Sequence, residues 1–282
     1  MIQRHESQHT VALMCRVLTV SRSGYYGWRD RPPSDRAQAN TRLAADVQRV
    51  FVEHQGRAGA PRIAQQLRDE GQVVGQNRVA HVMRAEQLRA KAAKKYKATT
   101  NSNHNLPVAP NLLEQDFTAK APNQKWVSDI TCIWTDAGWL YLAVVLDLYS
   151  RLVVGWAMGE RMTASLVCEA LTMALWRRQM PTGVIVHSDR GSQYCSADYQ
   201  RLLLKHRLRC SMSKKGDCYD NAAMESWNHS LKVEAIHGER FVTREAAKAQ
   251  VFEYIEVYYN RKRLHSTLGY RSPEVFEARQ AA

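Results

Sequence analysis

Three acidic residues stand in segments that are otherwise largely apolar. Asp129 lies inside the β-branched and aromatic segment QKWVSDITCIW, Asp189 ends the apolar segment GVIVHSD, and Glu225 stands near the start of a helical pattern. Fifty-nine residues separate Asp129 from Asp189, and 35 separate Asp189 from Glu225. Carboxylates brought together in such surroundings repel one another and lose hydration, so their charged forms are disfavoured. A bound divalent cation would remove that penalty.

The chemistry of these acids is therefore expected to involve a hard metal ion. Oxygen ligands favour Mg²⁺ or Mn²⁺, which bind few protein carboxylates and complete their shells with water and phosphate. Two such ions about 3.5–4 Å apart clamp the attacking and leaving oxygens of a phosphoryl transfer, and no covalent protein nucleophile is needed. The alternative for any single buried acid is a structural role as a cap or an ion-pair partner. The three acids together predict a two-metal phosphoryl-transfer site.

Hydrophobic periodicity predicts the elements that hold these acids within residues 107–282. Strands are predicted at 124–134, 139–147, 152–158, 183–189 and 209–213. Helices are predicted at 163–179, 196–206, 221–235 and 243–260. This order is that of an α/β, ribonuclease H-like core, with a mixed sheet and helices on both faces. In that topology the first and fourth strands are central neighbours, so Asp129 and Asp189 could face each other.

The first third of the chain differs from the rest in charge. The formal net charge of the whole chain is +13. Residues 1–106 hold 18 basic and 8 acidic side chains, whereas residues 107–282 hold 22 and 19. This asymmetry favours a polyanion-binding module joined to a second domain, with a general solubility charge as the alternative. We therefore predict an all-α DNA-binding domain at 1–106 and a catalytic domain at 107–282.

Two helix-turn-helix candidates lie in this basic third. In residues 8–29, Ser21 is a good N-cap for a second short helix that carries Arg22 early in its course. The alternative is a plain helical hairpin whose aromatic residues are core. In the second candidate, Pro61 suits a helix start, and a helix over 76–87 carries Arg78 and Arg84 away from its apolar stripe. Its alternative is a solvated basic helix.

A run of lysines ends the basic first third of the chain. Lys94 and Lys95 belong to a basic run ahead of a polar linker at 99–105, and phosphate contact is its expected use.

The six cysteines are scattered without a C-x-x-C pair, which suits a reducing cytoplasm better than a disulfide scaffold and argues against a zinc finger. No apolar segment is long enough to span a bilayer, and the first residues lack the apolar stretch of a secretory signal.

Several motifs of the chain resemble one known family. The motifs are WVSDIT, LYLAVVLDLYSR, HSDRGSQY, KGDCYDNA, ESWNHSLKVE and YNRKRLHSTLGYRSP. In this order and spacing they resemble the integrase-type core of bacterial insertion-sequence transposases. The resemblance is strongest to the family whose transposase is assembled from two overlapping reading frames, and this chain resembles the second-frame product.

The resemblance implies roles for individual residues. It implies that Asp129, Asp189 and Glu225 form a DDE triad that binds a pair of Mg²⁺ or Mn²⁺ ions. Lys232 matches a basic residue two helical turns after Glu225, on the same helix face, where it could touch a phosphate; an ordinary solvated lysine is the alternative. The further expected site residues are Gly191 at a sharp turn, Gln193 and Tyr194 on DNA, Lys214, Lys215, Gly216 and Tyr219 in an active-site loop, and Asn221 as N-cap of the helix that carries Glu225.

The same resemblance implies a reaction and partners. A transposase of this family nicks double-stranded DNA at the ends of its element, frees 3′-hydroxyls and uses them for strand transfer, through a copied circular intermediate and then integration. Two ends cut in concert imply a homo-oligomer on DNA, in the cytoplasm and on the nucleoid. The chain shows no sustained heptads, so a first-frame transposase subunit is an expected partner.

Two other functions fit part of the pattern. One is a ribonuclease H-like nuclease that hydrolyses DNA without joining it. The other is a non-catalytic DNA-binding regulator derived from a transposase, against which the intact triad argues. Strand-transfer products distinguish the transposase from both.

Overall fold

The computed structural model describes residues 1–91, 107–214 and 218–280 of the 282-residue chain. The chain divides into two units, Met1–Arg89 and Ala90–Ala282. The predicted domain boundary after residue 106 falls at the end of the segment 92–106, which lies outside the described residues together with Lys94 and Lys95. Within the described ranges, no helix combines the length and apolar character needed to cross a membrane.

The first unit is entirely helical. Its helices are α1 (Val11–Val17), α2 (Arg22–Arg29), α3 (Asp35–Glu53), α4 (Ala60–Asp69) and α5 (Gln76–Ala85), after a 3-10 turn at Ile2–His5. The predicted cap of α2 is confirmed, because Ser21 Oγ accepts a hydrogen bond from the Gly24 amide at 3.0 Å. Helices α3, α4 and α5 pack around a small apolar core that includes Val47, Ile63 and Val79. Two of these three helices, α4 and α5, are the second helix-turn-helix candidate.

The second unit is built on one five-stranded mixed sheet. Its strands are β1 (Lys125–Thr135), β2 (Gly138–Asp147), β3 (Val153–Gly159), β4 (Ile185–Ser188) and β5 (Arg209–Met212). They lie in the order β3-β2-β1-β4-β5. Strand β1 pairs antiparallel with β2 and parallel with β4, while β2–β3 is antiparallel and β4–β5 parallel. The five predicted strands are confirmed, and the first and fourth are neighbours as expected.

Helices cover both faces of this sheet. They are α6 (Ala164–Arg177) and α7 (Ala197–Lys205) on one face, and α8 (Ala222–Leu231) and α9 (Arg244–Phe252) on the other; α10 (Pro273–Gln280) is the last described helix. One buried cluster joins β1 and β2 to side chains of α8 and α9, and the other joins the opposite face to α6 and α7. Helix α6 lies very close to β3 at Gly155. A Cβ added to this glycine would lie only 2.2 Å from the Ala170 carbonyl oxygen of α6. Glycine is thus required there for contact rather than for a turn.

Two predicted helices end earlier as α-helices than their apolar patterns do. Helix α8 stops at Leu231 and continues as a π-helical turn over Lys232–Ile236, although one helix over 221–235 is predicted. In the same way α9 continues as a π-helical segment over Glu253–Tyr259. These wider turns keep the chain helical but change the direction in which the side chains point. Lys232 and Glu234 both lie in the first of these turns.

Candidate active site

The first two acids of the predicted triad leave neighbouring strands at the same level. In the parallel β1–β4 pair, Val127 is opposite His187. Two residues further along each chain stand Asp129, within β1, and Asp189, directly after the last residue of β4. Residues two apart on a strand share a face, so this register directs both carboxylates to one side of the sheet.

A short turn fixes the carboxylate of Asp189. Its Oδ1 accepts a hydrogen bond from the Gly191 amide at 2.9 Å. A Cβ added to Gly191 would lie 3.1 Å from that same oxygen. The sequence predicts this glycine for a sharp turn, but its φ is not positive, and here it leaves room for the side chains of Asp189 and Gln193.

The third acid is carried by a helix that is hydrogen-bonded to β1. Glu225 lies exposed in the first turn of α8, where the partial positive charge of a helix N-terminus favours a carboxylate. One turn later, Asn228 Nδ2 donates to Asp129 Oδ2 at 2.7 Å. Residues three apart lie on one helix face, so this bond turns the face of Glu225 towards Asp129.

The predicted N-cap of α8 needs a correction. Asn221 does occupy the N-cap position, but its side chain makes no capping hydrogen bond. Its Oδ1 is buried without a hydrogen-bond partner. The start of α8 is instead preceded by a 3-10 turn at Cys218–Asn221, which already directs the backbone into the helix.

The three carboxylates act on one another electrostatically. Burial, then the charge of Asp189 and more weakly that of Glu225, raise the pKa of Asp129 to about 7, although hydrogen bonds from the Ile130 amide and Asn228 oppose the shift. Oxygen donors that repel each other in a partly dry site have the chemistry that a hard divalent cation satisfies. Among the described residues, no three His, Cys, Asp or Glu side chains already converge on one point. The acids are therefore close enough to interact electrostatically, but their side chains do not form a complete metal-binding site in this structure.

A buried histidine that the sequence analysis did not single out supports the end of β4. His187 Nδ1 lies 2.8 Å from Ser211 Oγ, and its Nε2 lies 3.3 Å from Ser213 Oγ. Burial lowers the pKa of His187, which favours the neutral ring. The side chain thus fastens β4 to β5 two residues before Asp189 without adding a charge.

Lys232 lies beside the strand that carries Asp129. Its Nζ donates to the main-chain carbonyl oxygen of Cys132 in β1. Partial burial lowers the pKa of Lys232. The first residue of the π-helical turn therefore reaches β1 in this structure, and phosphate contact by Lys232 stays a prediction.

The other residues predicted to contact DNA differ in how exposed their side chains are. Tyr194 is 1% exposed and its hydroxyl lies 3.0 Å from Ser128 Oγ, so its side chain is buried in this structure rather than presented to DNA. Its ring centroid lies 5.3 Å from that of Tyr199 in α7, and Ser128 precedes it by 66 residues, a contact that the motif alone does not reveal. Gln193 donates to the Met162 carbonyl at 3.0 Å. Exposed side chains are found at Arg22 and Arg78.

The loop expected before α8 is described only at its ends. Lys214 is exposed, and its amide donates to Asp220 Oδ2 at 2.6 Å. Asn111 Nδ2 donates to the same oxygen at 3.1 Å. Lys215 and Gly216, like the side chain of Tyr219, lie outside the described residues. The buried carboxylate of Asp220 therefore joins the chain on both sides of the segment.

A buried ion pair stands behind α8. Arg263 donates to both carboxylate oxygens of Glu234, at 2.8 and 2.9 Å, and Tyr254 donates to the same carboxylate at 3.0 Å. Arg263 also donates to Ser230 Oγ at 2.9 Å. The pair joins the two last motifs of the sequence, and the analysis of the sequence assigned neither residue a role.

Comparison with known proteins decides the family. Profiles described as "Integrase core domain" match residues 119–218 and 225–280, and one described as "HTH-like domain" matches residues 38–96. Transposase InsF for insertion sequence IS3A, from Escherichia coli strain K12, is 54% identical over 283 residues, covering 100% of this chain and 98% of its own. The chain belongs to the IS3 transposase family. A further relative of this IS3-family transposase, the insertion element IS600 uncharacterized 31 kDa protein of Shigella sonnei, is 49% identical over 93% of the chain and 97% of its own length.

Among solved structures, the transposase is similar to viral integrases at low sequence identity. A simian T-cell lymphotropic virus intasome chain matches with a TM-score of 0.46 and 13% identity, covering 82% of this chain and 74% of that one. The HTLV-2 integrase catalytic core domain in complex with magnesium matches with a TM-score of 0.41 and 13% identity, over 57% of this chain and 99% of that one. The HTH-like match covers α3 to α5 and leaves the first candidate, in residues 8–29, outside it.

Proposed function

We propose that this transposase cleaves and joins DNA strands in a divalent-metal-dependent reaction, with Asp129, Asp189 and Glu225 as the metal-holding carboxylates. The observation that carries the proposal is their mutual placement. Two acids leave adjacent parallel strands at one level, and the helix that bears the third is hydrogen-bonded to the first through Asn228. Membership of a transposase family makes strand transfer, rather than hydrolysis alone, the expected outcome.

The donor set fits Mg²⁺ or Mn²⁺, because it consists of carboxylate oxygens that repel one another. When bound, a pair of such ions supplies charge stabilisation for the attacking and leaving oxygens of an in-line displacement at phosphorus. The residues of the chain prepare that site. Asn228 holds the Asp129 carboxylate, and the Gly191 amide holds that of Asp189.

The chemistry balances without a covalent protein intermediate. In cleavage, a water oxygen forms the new bond to phosphorus, and the bond to the 3′ oxygen breaks to leave a free 3′-hydroxyl. In strand transfer, the oxygen of that 3′-hydroxyl forms a bond to a phosphorus of the target strand, and the bond from this phosphorus to the target's own 3′ oxygen breaks, which leaves a 3′-hydroxyl on the target. Each step exchanges one phosphorus–oxygen bond for another, so a preorganised electrostatic site suffices.

The partner we propose is double-stranded DNA, contacted by the basic helical unit and by the catalytic unit. Two element ends must be processed together, so we propose a homo-oligomer assembled on DNA, with a first-frame subunit as a further partner. Such an enzyme works where its substrate lies, in the cytoplasm and on the nucleoid.

The test is a strand-transfer assay with the full chain, with and without a first-frame partner, on DNA taken from the flanks of its reading frame. We expect joined product with Mg²⁺ and none with EDTA. Asp189→Asn should abolish cleavage and joining while DNA binding is retained. Asp198→Asn is the matched control, because it removes an equally charged carboxylate from an exposed ion pair on α7.

Each outcome of this assay has a meaning. Normal cleavage by Asp189→Asn would show that the site is wrongly assigned. Hydrolysis with no joined product in any arm would favour a nuclease. Binding to DNA without cleavage by the wild-type chain under every condition would favour a regulator.

A further inference from the structure

Helix α5 carries a polar stripe directly opposite its buried stripe. Val79, Val82 and Met83 face the core of the first unit. Asn77, His81 and Arg84, at spacings of four and three residues, are all exposed. With 100° of rotation per residue, these three side chains form one line along the helix, centred away from the core.

This line is free of opposing charge. The sequence of α5, QNRVAHVMRA, contains no acidic residue, and within the described part of the chain none of its side chains forms an ion pair. The remaining arginine of the helix, Arg78, points aside and donates to Asn40 Oδ1 of α3 at 2.9 Å. The outward face is therefore polar and cationic, and the carboxylate of Glu70, which follows α4, is paired with Arg49 of α3.

We propose that Asn77, His81 and Arg84 read base edges in the major groove of duplex DNA and so determine which sequence the transposase selects. The inference rests on the proposed function, because it assigns a specificity surface to the DNA partner. An asparagine suits the paired donor and acceptor of adenine, and an arginine suits the two acceptors of guanine. His81 offers one further hydrogen bond between them.

The dimensions of the stripe match this use. From Asn77 to Arg84 the helix rises about 10 Å, at about 1.5 Å per residue. Base pairs are spaced about 3.4 Å apart, so the stripe spans about three of them. An α-helix fits the major groove, which is about 12 Å wide. Arg78, held by α3, is assigned to orientation of the helix rather than to sequence choice.

The experiment selects bound sequences from a random duplex library with the full chain, in EDTA, so that no cleavage enters the readout. Wild type should enrich a motif. Asn77→Ala and Arg84→Ala should each relax the preference at one base pair, with a loss of about 5- to 150-fold in discrimination there. His81→Ala should act on a base pair between those two. Arg42→Ala, which removes an exposed cation from α3, is the matched control and should leave the motif unchanged.

Three results would overturn the inference. They are no enriched motif with wild type, an unchanged motif in all three variants, and an equal loss of affinity for every sequence. The last would mean that the stripe contacts phosphates only. Circular dichroism and the thermal unfolding midpoint of each variant check that it folds like wild type. Because Asp189→Asn tests catalysis separately, a failure here leaves the proposed reaction standing, and a failure there leaves the motif standing.

Discussion

At the scale of single residues, the site depends on what holds each carboxylate as much as on the carboxylates. Asp129 is oriented by Asn228, a side chain whose own position on α8 is three residues after Glu225. A neutral donor in this place lowers the cost of a charged Asp129 without competing for a cation. The pair therefore couples the strand and the helix through one hydrogen bond.

Replacing Asn228 should weaken the site without removing any of its proposed ligands. We expect Asn228→Ala to lower strand-transfer activity about 10- to 100-fold, in the range of losses known for side chains that support metal ligands. Part of this loss should be recovered at higher Mg²⁺, which a titration of activity against Mg²⁺ measures. The exposed neighbour His229, changed to Ala, serves as control and should titrate like wild type. An unchanged Mg²⁺ requirement in Asn228→Ala would contradict the supporting role.

At the scale of elements, the helix that bears Glu225 is fastened from behind as well as from the sheet. The π-helical turn after α8 places Glu234 against Arg263, whose side chains are 7% and 8% exposed. Two residues away, Arg261 pairs with Glu274 at the surface, where the side chains are 62% and 57% exposed. The two ion pairs offer a comparison within one short segment.

Breaking the buried pair should cost far more stability than breaking the exposed pair. Arg263→Ala leaves the Glu234 carboxylate buried without its main partner, and we expect a loss of about 3–5 kcal/mol in the free energy of unfolding. Arg261→Ala should change it by about 0–1 kcal/mol. Urea unfolding of both variants beside wild type measures the difference. Equal losses would show that Glu234 is satisfied by its other neighbours.

The sequence predicts the sheet well because strand signals are local. Alternating and β-branched segments with turn residues between them mark all five strands, and the order of elements then brings Asp129 beside Asp189. Asn228 was within reach of the same reasoning, since it lies on the helix face of Glu225. Contacts between residues that are distant in sequence were not within reach of it. Tyr194 lies beside Ser128, 66 residues earlier, and Glu234 pairs with Arg263, 29 residues later.

At the scale of the whole molecule, the positive charge is concentrated in the first third of the sequence. The basic excess lies in residues 1–106, and the nearly balanced remainder contains three carboxylates that act on one another. Carboxylates repel phosphate until they are neutralised, so the first part of the chain must supply much of the initial attraction to DNA.

Duplex affinity of the full chain should therefore fall steeply with salt. Each contacted phosphate contributes about −0.9 to the slope of log affinity against log salt, because bound counterions are released. Removing the exposed Arg22 by Arg22→Gln should make the slope shallower by about 1 if it contacts a phosphate. Arg201→Gln, on α7, is the control with the same change of charge. A flat salt response of the wild-type chain would contradict a basic DNA-binding region.

The bond from the Lys214 amide to the buried Asp220 carboxylate bears on how far the chain can change in length. It ties together the two sides of a short segment ahead of α8, so the starting point of that helix is set by Asp220 and not by the number of residues before it. We therefore expect an insertion between Lys214 and Asp220 that retains this bond to leave Glu225 in place. The interval of 35 residues after Asp189 measures the path of the chain rather than a dimension of the site.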